Sequence, residues 1–138
     1  MIAYTEDVDG LNCESLEGFF IGWARPVPPE VHMQLLVSSQ QCFVAIDAES
    51  GSVVGFITAI SDGVLAAYIP LLEVRKDYQG QGIGSELVRR MLDRLAGLYM
   101  IDVVCDPDVQ PFYERFGFSQ ASAMVIRRLQ DGDDEGGR

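Results

Sequence analysis

Two periods of apolar residues organise this chain. Runs of apolar and β-branched residues at Ile2 to Thr5, Cys42 to Asp47, Val53 to Ile60, Val64 to Val74, Met100 to Cys105 and Ala123 to Leu129 predict strands. Between them, Ile83, Leu87, Met91, Leu95 and Leu98 recur at helical spacing, and Val31, Leu35 and Leu36 mark a second helix from Pro28 or Pro29 to about Ser39. Leu16 to Trp23 reads as a short helix with Ser15 as its cap, and Val109 to Phe116 as another, stopped by Gly117. Arg25-Pro-Val-Pro-Pro cannot continue a helix and predicts a rigid connector. Ala-Glu-Ser-Gly-Ser joins one hairpin, and Asp62-Gly63 is the turn signal for the next strand. A helix of crossover length separates the Val64 and Met100 strands, so those two pair in parallel. The predicted class is α/β (α+β), a mixed six-stranded sheet flanked by helices in the order β-α-α-β-β-β-α-β-α-β. Residues 1–129 read as one domain, and the acidic, glycine-rich residues 130–138 as a disordered tail.

The strand ending at Val74 gives way to a loop with glycines at 80, 82 and 84, and then to the helix of Ile83. Glycine lets successive backbone N–H groups converge, and the first helical turn adds unpaired donors and a positive dipole end. That combination suits an anion, most naturally a phosphate. A P-loop is excluded, because Ser85 and Glu86 stand where Lys-Ser/Thr is required. A dinucleotide-binding turn fits better, with Ser85 in the place of the third glycine and Asp102 at the distance of a ribose ligand. It leaves the residues before the turn without a role.

Gln79-Gly80-Gln81-Gly82-Ile83-Gly84 has the form Gln/Arg-x-x-Gly-x-Gly/Ala and resembles the pyrophosphate-binding motif of the GNAT superfamily of acyl-CoA-dependent N-acetyltransferases. Pro111-Phe-Tyr-Glu-Arg-Phe-Gly-Phe118 is similar to that family's Phe-Tyr-Glu-x-x-Gly-Phe signature, in the family's order and at its usual separation. The two segments cover residues 73 to 118. The resemblance implies the GNAT fold, in which the two central parallel strands splay apart and acetyl-CoA enters the gap. Splaying strips both strands of ladder partners, and an amide-bearing pantetheine arm can replace them. Pro70 fits a bulge or unpaired edge there. The pantetheine contacts implied are the backbones of Leu72, Glu73 and Val74; the pyrophosphate contacts are the amides of Gln79, Gly80, Gln81, Gly82, Ile83, Gly84 and Ser85.

The activity implied is acetyl transfer from acetyl-CoA to a primary amine by direct attack in a ternary complex. Such a reaction needs a neutral amine, donors for the thioester oxygen and a proton for the departing thiolate. Val74 or Leu72 N–H is the expected oxyanion donor, and Tyr113 stands at the position of the tyrosine that many members use as general acid. Tyr113 could instead pack structurally. Glu73, the one charge in its strand, is the candidate base, although alternation turns it away from Leu72 and Val74. It could equally attract a cationic substrate. His32, the sole histidine, sits on a helix flank, where a surface or rim position is expected. Phe19, Phe20, Trp23 and the connector Arg25 to Pro29 would form the acceptor wall. The sequence departs from the family at Asp106, which stands where asparagine is frequent and can accept but not donate an amide bond; its contact with the cofactor is open. Lys76 stands where proline is frequent.

Composition narrows the field. The chain has 138 residues, 48% hydrophobic, with a net charge of −11. Residues 1–74 carry ten acidic residues and one basic, Arg25, whereas five of the chain's ten basic residues lie between 75 and 98. Arg89, Arg90 and Arg94 could either attract a polyanion or solvate their helix, helped by Glu86. Arg75 and Lys76 fit the first role better. No basic face suits nucleic acid, and no apolar run suits a membrane helix. The start lacks a signal sequence, so a cytoplasmic location is expected. Cys13, Cys42 and Cys105 form no metal-binding spacing and read as free thiols, with no metal. The acceptor is a small-molecule or peptide amine, and a homodimer stays open. A catalytically silent acyl-CoA-binding module and a Rossmann-like nucleotide-binding domain remain as alternatives.

Overall fold

The computed structural model describes residues 1–128. Its sheet has five strands in sequence order, β1 (Ile2–Thr5), β2 (Gln41–Asp47), β3 (Val53–Ser61), β4 (Ala66–Val74) and β5 (Met100–Val103). All neighbours are antiparallel except β4 and β5, which are parallel as the crossover requires. The three helices are α1 (Pro29–Ser38), α2 (Ile83–Arg94) and α3 (Gln110–Glu114).

β3 is the middle strand, buried from Val53 to Ala59, which explains why its sequence is apolar throughout rather than alternating. One face of the sheet packs on α2 through Ile83, Leu87, Val88, Met91 and Leu95. Gly55 allows this close seat, since a Cβ there would lie 3.2 Å from both Ile83 Cγ2 and Leu87 Cδ1. The other face carries Leu16, Phe19, Phe20, Leu36, Val44, Val53 and Phe56. α2 is thus fixed by its apolar stripe, and its N-terminus is set at the end of β4.

Four expectations need correction. The stretch Leu16 to Trp23 is not a helix: one 3-10 turn, Cys13–Leu16, is capped by Asn12, whose Oδ1 accepts from Ser15 N–H at 3.0 Å. Gly18, Phe20 and Gly22 then have φ of 93°, 63° and 82°, which a right-handed helix excludes. β4 starts at Ala66 rather than Val64, because the Asp62 carboxylate accepts from the amides of Val64, Leu65 and Ala66 at 2.8, 2.9 and 3.2 Å and holds them in a turn. β5 is shorter than expected and ends at Val103. The sixth strand is absent among the described residues: 119–128 have no regular structure, and a cavity of about 590 Å³ lies between them, β5 and α3. Leu129 and the tail 130–138 lie outside the described residues.

Candidate functional site

The site begins where the parallel pairing stops. β4 and β5 are in register from Ala66 and Met100 to Ile69 and Val103, after which β4 runs five residues further, from Pro70 to Val74, without β5. Pro70 lies in a bulge: three steps along β4, Tyr68 to Leu71, face two along β3, Ile60 to Thr58. Lacking an N–H, proline loses nothing there.

Arg75 N–H donates to the Val54 carbonyl at 2.8 Å, which makes 54 and 75 a hydrogen-bonded pair. Antiparallel alternation makes Phe56 and Glu73 the next bonded pair, so the backbone groups of Leu72 and Val74 point away from β3 and into the gap. The Val74 carbonyl is taken by Gln79 Nε2 at 2.9 Å. The N–H groups of Leu72 and Val74 therefore make no bond to β3, and the Gln79 side chain braces the Val74 carbonyl.

The loop from β4 to α2 contains one 3-10 turn, Lys76–Tyr78, anchored by the Tyr78 hydroxyl donating to Asp47 Oδ2 at 2.6 Å. Gly80 and Gly82 both have φ of 84°, and an added Cβ at either would meet nothing within 4 Å. The first backbone bond of α2 runs from Glu86 N–H to the Gly82 carbonyl at 3.1 Å. The six amides of residues 80 to 85 have no partner among the described residues. They surround the positive end of α2, and the left-handed glycines keep the approach open, which is the environment a diphosphate requires. Gln79, Gly80, Gln81 and Gly82 are exposed, Gly84 and Ser85 half-buried, and Ile83 anchors the helix in the core.

Arg115 was not singled out by the sequence. Its Nη2 donates to Ser85 Oγ at 3.1 Å, and its guanidinium lies over Phe112 and Phe116, 5.1 and 5.6 Å from the ring centroids. A cation at a helix N-terminus is disfavoured by the dipole unless an anion lies between. The other basic residues nearby are engaged locally. Arg89 and Arg90 pair with Glu86 at 2.8 Å each, Arg94 pairs with Glu6, and Arg75 pairs with Asp77 at 3.4 Å. Arg89 and Arg90 thus pair along their own helix, Arg94 ties α2 to the loop after β1, and Lys76 is exposed.

α3 closes the far side of the gap. A Cβ on Gly84 would lie 3.7 Å from Val74 Cγ2 and 3.8 Å from Phe112 Cζ, so the end of β4, the start of α2 and α3 meet at that glycine. Tyr113 follows, edge-on to Phe112 with centroids 5.0 Å apart, and lines the 590 Å³ cavity. It is buried, its hydroxyl has no hydrogen-bond partner among the described residues, and burial pushes the phenol up to about 12, with Cys105 adding to the effect. Asp106 is exposed at the turn into α3; its carbonyl accepts from Val109 N–H at 2.9 Å.

Glu73 faces the opposite side of the sheet from Leu72 and Val74, as alternation predicts. Its Oε2 and Oε1 accept from Phe20 N–H at 3.0 and 3.2 Å. Burial raises its carboxyl above the usual carboxylate range, and the Phe20 amide opposes that in part. This clasp was invisible in the sequence because it links residues 53 apart. Of the residues expected to form the acceptor wall, Phe19 and Phe20 are buried and Trp23 is 52% exposed. His32 is not at a rim. It is 1% exposed, both ring nitrogens lack partners, and Phe56, Phe20 and Phe19 surround it at centroid distances of 4.3, 5.1 and 5.3 Å. It replaces Val31 as the inward residue of α1, with Leu36 one turn on.

Among the described residues, no group of three or more His, Cys, Asp or Glu side chains could hold a metal ion, and no helix is long and apolar enough to cross a membrane. Comparison with known proteins matches residues 9–118 to a model described as the acetyltransferase (GNAT) family. The chain is 30% identical over 101 residues to the uncharacterised N-acetyltransferase ycf52 of Pyropia yezoensis, covering 71% of this chain and 58% of that one. It is 32% identical over 98 residues to N-alpha-acetyltransferase 30 of Schizosaccharomyces pombe, covering 66% and 65% respectively. The chain thus spans less than two thirds of the length of either relative. A crystal structure assigned as an acetyltransferase from Deinococcus radiodurans R1 superposes with a TM-score of 0.89 at 45% identity, covering 93% of this chain and 89% of that one.

Proposed function

The chain belongs to the acetyltransferase (GNAT) family, and from that premise we propose that it transfers an acetyl group from acetyl-CoA to a primary amine in a ternary complex. The observation that carries this reading is the set of six unspent amides from Gly80 to Ser85, next to the unladdered end of β4. The residues present fit the cosubstrate: left-handed Gly80 and Gly82 leave room for a diphosphate, and the Leu72 and Val74 backbone groups, turned away from β3, would meet an amide-bearing arm. Arg115 would add a charge-assisted contact to the same diphosphate.

Acetyl-CoA would supply an activated acyl carbon: the amine nitrogen bonds to it and sheds a proton to solvent, while the carbon–sulfur bond breaks and the thiolate takes a proton. Leu72 or Val74 N–H would orient and polarise the thioester oxygen. Tyr113 holds its proton at any neutral pH and would give it to the sulfur. Glu73, with its raised pKa, would draw the proton from an incoming ammonium. Asp106 would lie near the cofactor through its exposed carboxylate.

Thermal unfolding with acetyl-CoA, CoA, NAD and ATP tests the reading. Acetyl-CoA and CoA should stabilise, by about 2.7 kcal/mol at 100 times the dissociation constant. Stabilisation by NAD without any by CoA would point to the dinucleotide fold instead.

A further inference from the structure

The segment around Phe20 is strained, clasped and apolar, and it covers a buried polar group. Phe20 is a non-glycine residue at φ 63°, between two left-handed glycines, and among the described residues its N–H donates to the Glu73 carboxylate alone. Strain of this kind persists only where a contact enforces it. The Glu73 carboxylate is half-buried yet accepts from a single N–H, so most of its acceptor capacity is unspent. Arg75 lies against Gly18 and pairs with Asp77 at 3.4 Å. Beneath Phe20, the His32 ring leaves both nitrogens unpartnered. Above it, Ile21 and Trp23 are 79% and 52% exposed, with Trp23 edge-on to Phe20 at 5.0 Å.

We propose that residues 18–23 form a clasp over the acceptor subsite, in which the acceptor's ammonium displaces Phe20 N–H at Glu73, and that the acceptor is a primary amine with an apolar flank and no anionic group beside its nitrogen. An ammonium brings three donors where the amide brings one, so it satisfies the carboxylate better. The flank packs on the Phe20 and Trp23 rings, which attract both apolar surface and cations. A phosphate or carboxylate next to the nitrogen would be brought against Glu73 and the acidic first half of the chain, where like charges repel. An acceptor reaching past Phe20 meets the imidazole of His32. The inference rests on the N-acetyltransferase reading and names the substrate class of that same site.

The test is thiol release by the full chain with saturating acetyl-CoA and four amines: phenethylamine, phenylalanine, spermidine and O-phosphoethanolamine. Phenethylamine and phenylalanine differ only by a carboxylate. The expected order puts kcat/KM for phenethylamine about 10- to 100-fold above the other three. Phe20→Gly relieves the left-handed strain and removes the ring; it should keep the acetyl-CoA thermal shift while the preference for phenethylamine over spermidine falls below about threefold. Glu73→Gln should lower kcat/KM for phenethylamine, by raising KM and lowering kcat, with the acetyl-CoA shift intact. A carboxylated or phosphorylated acceptor used as well as phenethylamine, an unaltered preference in Phe20→Gly, or no turnover of phenethylamine despite a normal acetyl-CoA shift would each overturn the proposal. Loss of the acetyl-CoA shift in the unaltered chain would instead overturn the reading beneath it.

Discussion

The side-chain amide of Gln79 donates to the carbonyl of Val74 at 2.9 Å, joining the start of the glycine turn to the last residue of β4. This bond helps to position the two sites proposed for the cosubstrate, the strand amides and the turn amides, relative to each other. Gln79→Ala should therefore raise the dissociation constant for CoA about 2- to 10-fold, the worth of one neutral hydrogen bond. Unfolding stability should fall by about 1 kcal/mol or less, because Gln79 is exposed. Calorimetric titration with CoA reads the first quantity, and equal affinity in the variant would show that the turn holds its shape without the brace.

Arg115 sits where the α2 dipole disfavours a cation, and among the described residues Ser85 Oγ at 3.1 Å and two aromatic faces hold it there. Arg115→Ala should leave unfolding stability within about 0.5 kcal/mol, as for other exposed side chains. Its KM for acetyl-CoA should rise about tenfold, with kcat retained, since a charge-assisted contact to phosphate is worth about 1.5 to 3 kcal/mol before screening. The rise should shrink at high salt. A salt-independent KM equal to that of the unaltered chain would remove Arg115 from the site.

Local sequence carried the glycine turn, the α2 stripe and the parallel crossover, because each depends on spacing within a few residues. Pro70 announced the bulge for the same reason: a missing N–H is a property of one residue. The helix expected over Leu16 to Trp23 failed because Gly18, Phe20 and Gly22 adopt left-handed φ, which apolar spacing does not reveal. The sixth strand failed for a different reason. Residues 123–128 have strand composition, yet a strand exists only through a partner, and the cavity beside β5 separates them from one. The Glu73 clasp and the Arg115 contact join distant parts of the chain, and nothing in either neighbourhood hints at them. His32 was misplaced because polarity argued for the surface, while the helical phase it shares with Leu36 argued for the core.

His32 makes a pH prediction with a definite sign. Burial among phenyl rings depresses its pKa from 6.5 to about 4, so the unfolded chain takes up the proton first as pH falls. Stability is whole above pH 6.5 and is lost as pH drops toward 4, by up to about 3 kcal/mol from this group. Carboxylates titrate in the lower part of that window too, so the quantity to read is the difference from His32→Leu in urea unfolding at pH 7.5, 5.5 and 4.5. The variant should lose less stability between those points, and parallel curves would mean the imidazole is solvated.

Tyr113→Phe separates a chemical role from a packing one, because the two have different readouts. As the proposed proton donor, the phenol should matter to turnover alone: kcat should fall about 100-fold with KM for acetyl-CoA unchanged. Its burial has an independent consequence. The phenol ionises at 10.0 in the unfolded chain and at about 12 in the folded one, so the stability it contributes is complete below pH 10 and drains away as pH rises toward 12. Tyr113→Phe cannot ionise there and should be the more resistant protein at pH 11, by urea midpoint. Alkaline resistance together with an unchanged kcat would confirm the buried phenol and deny it the proton transfer, leaving solvent as the donor to the thiolate.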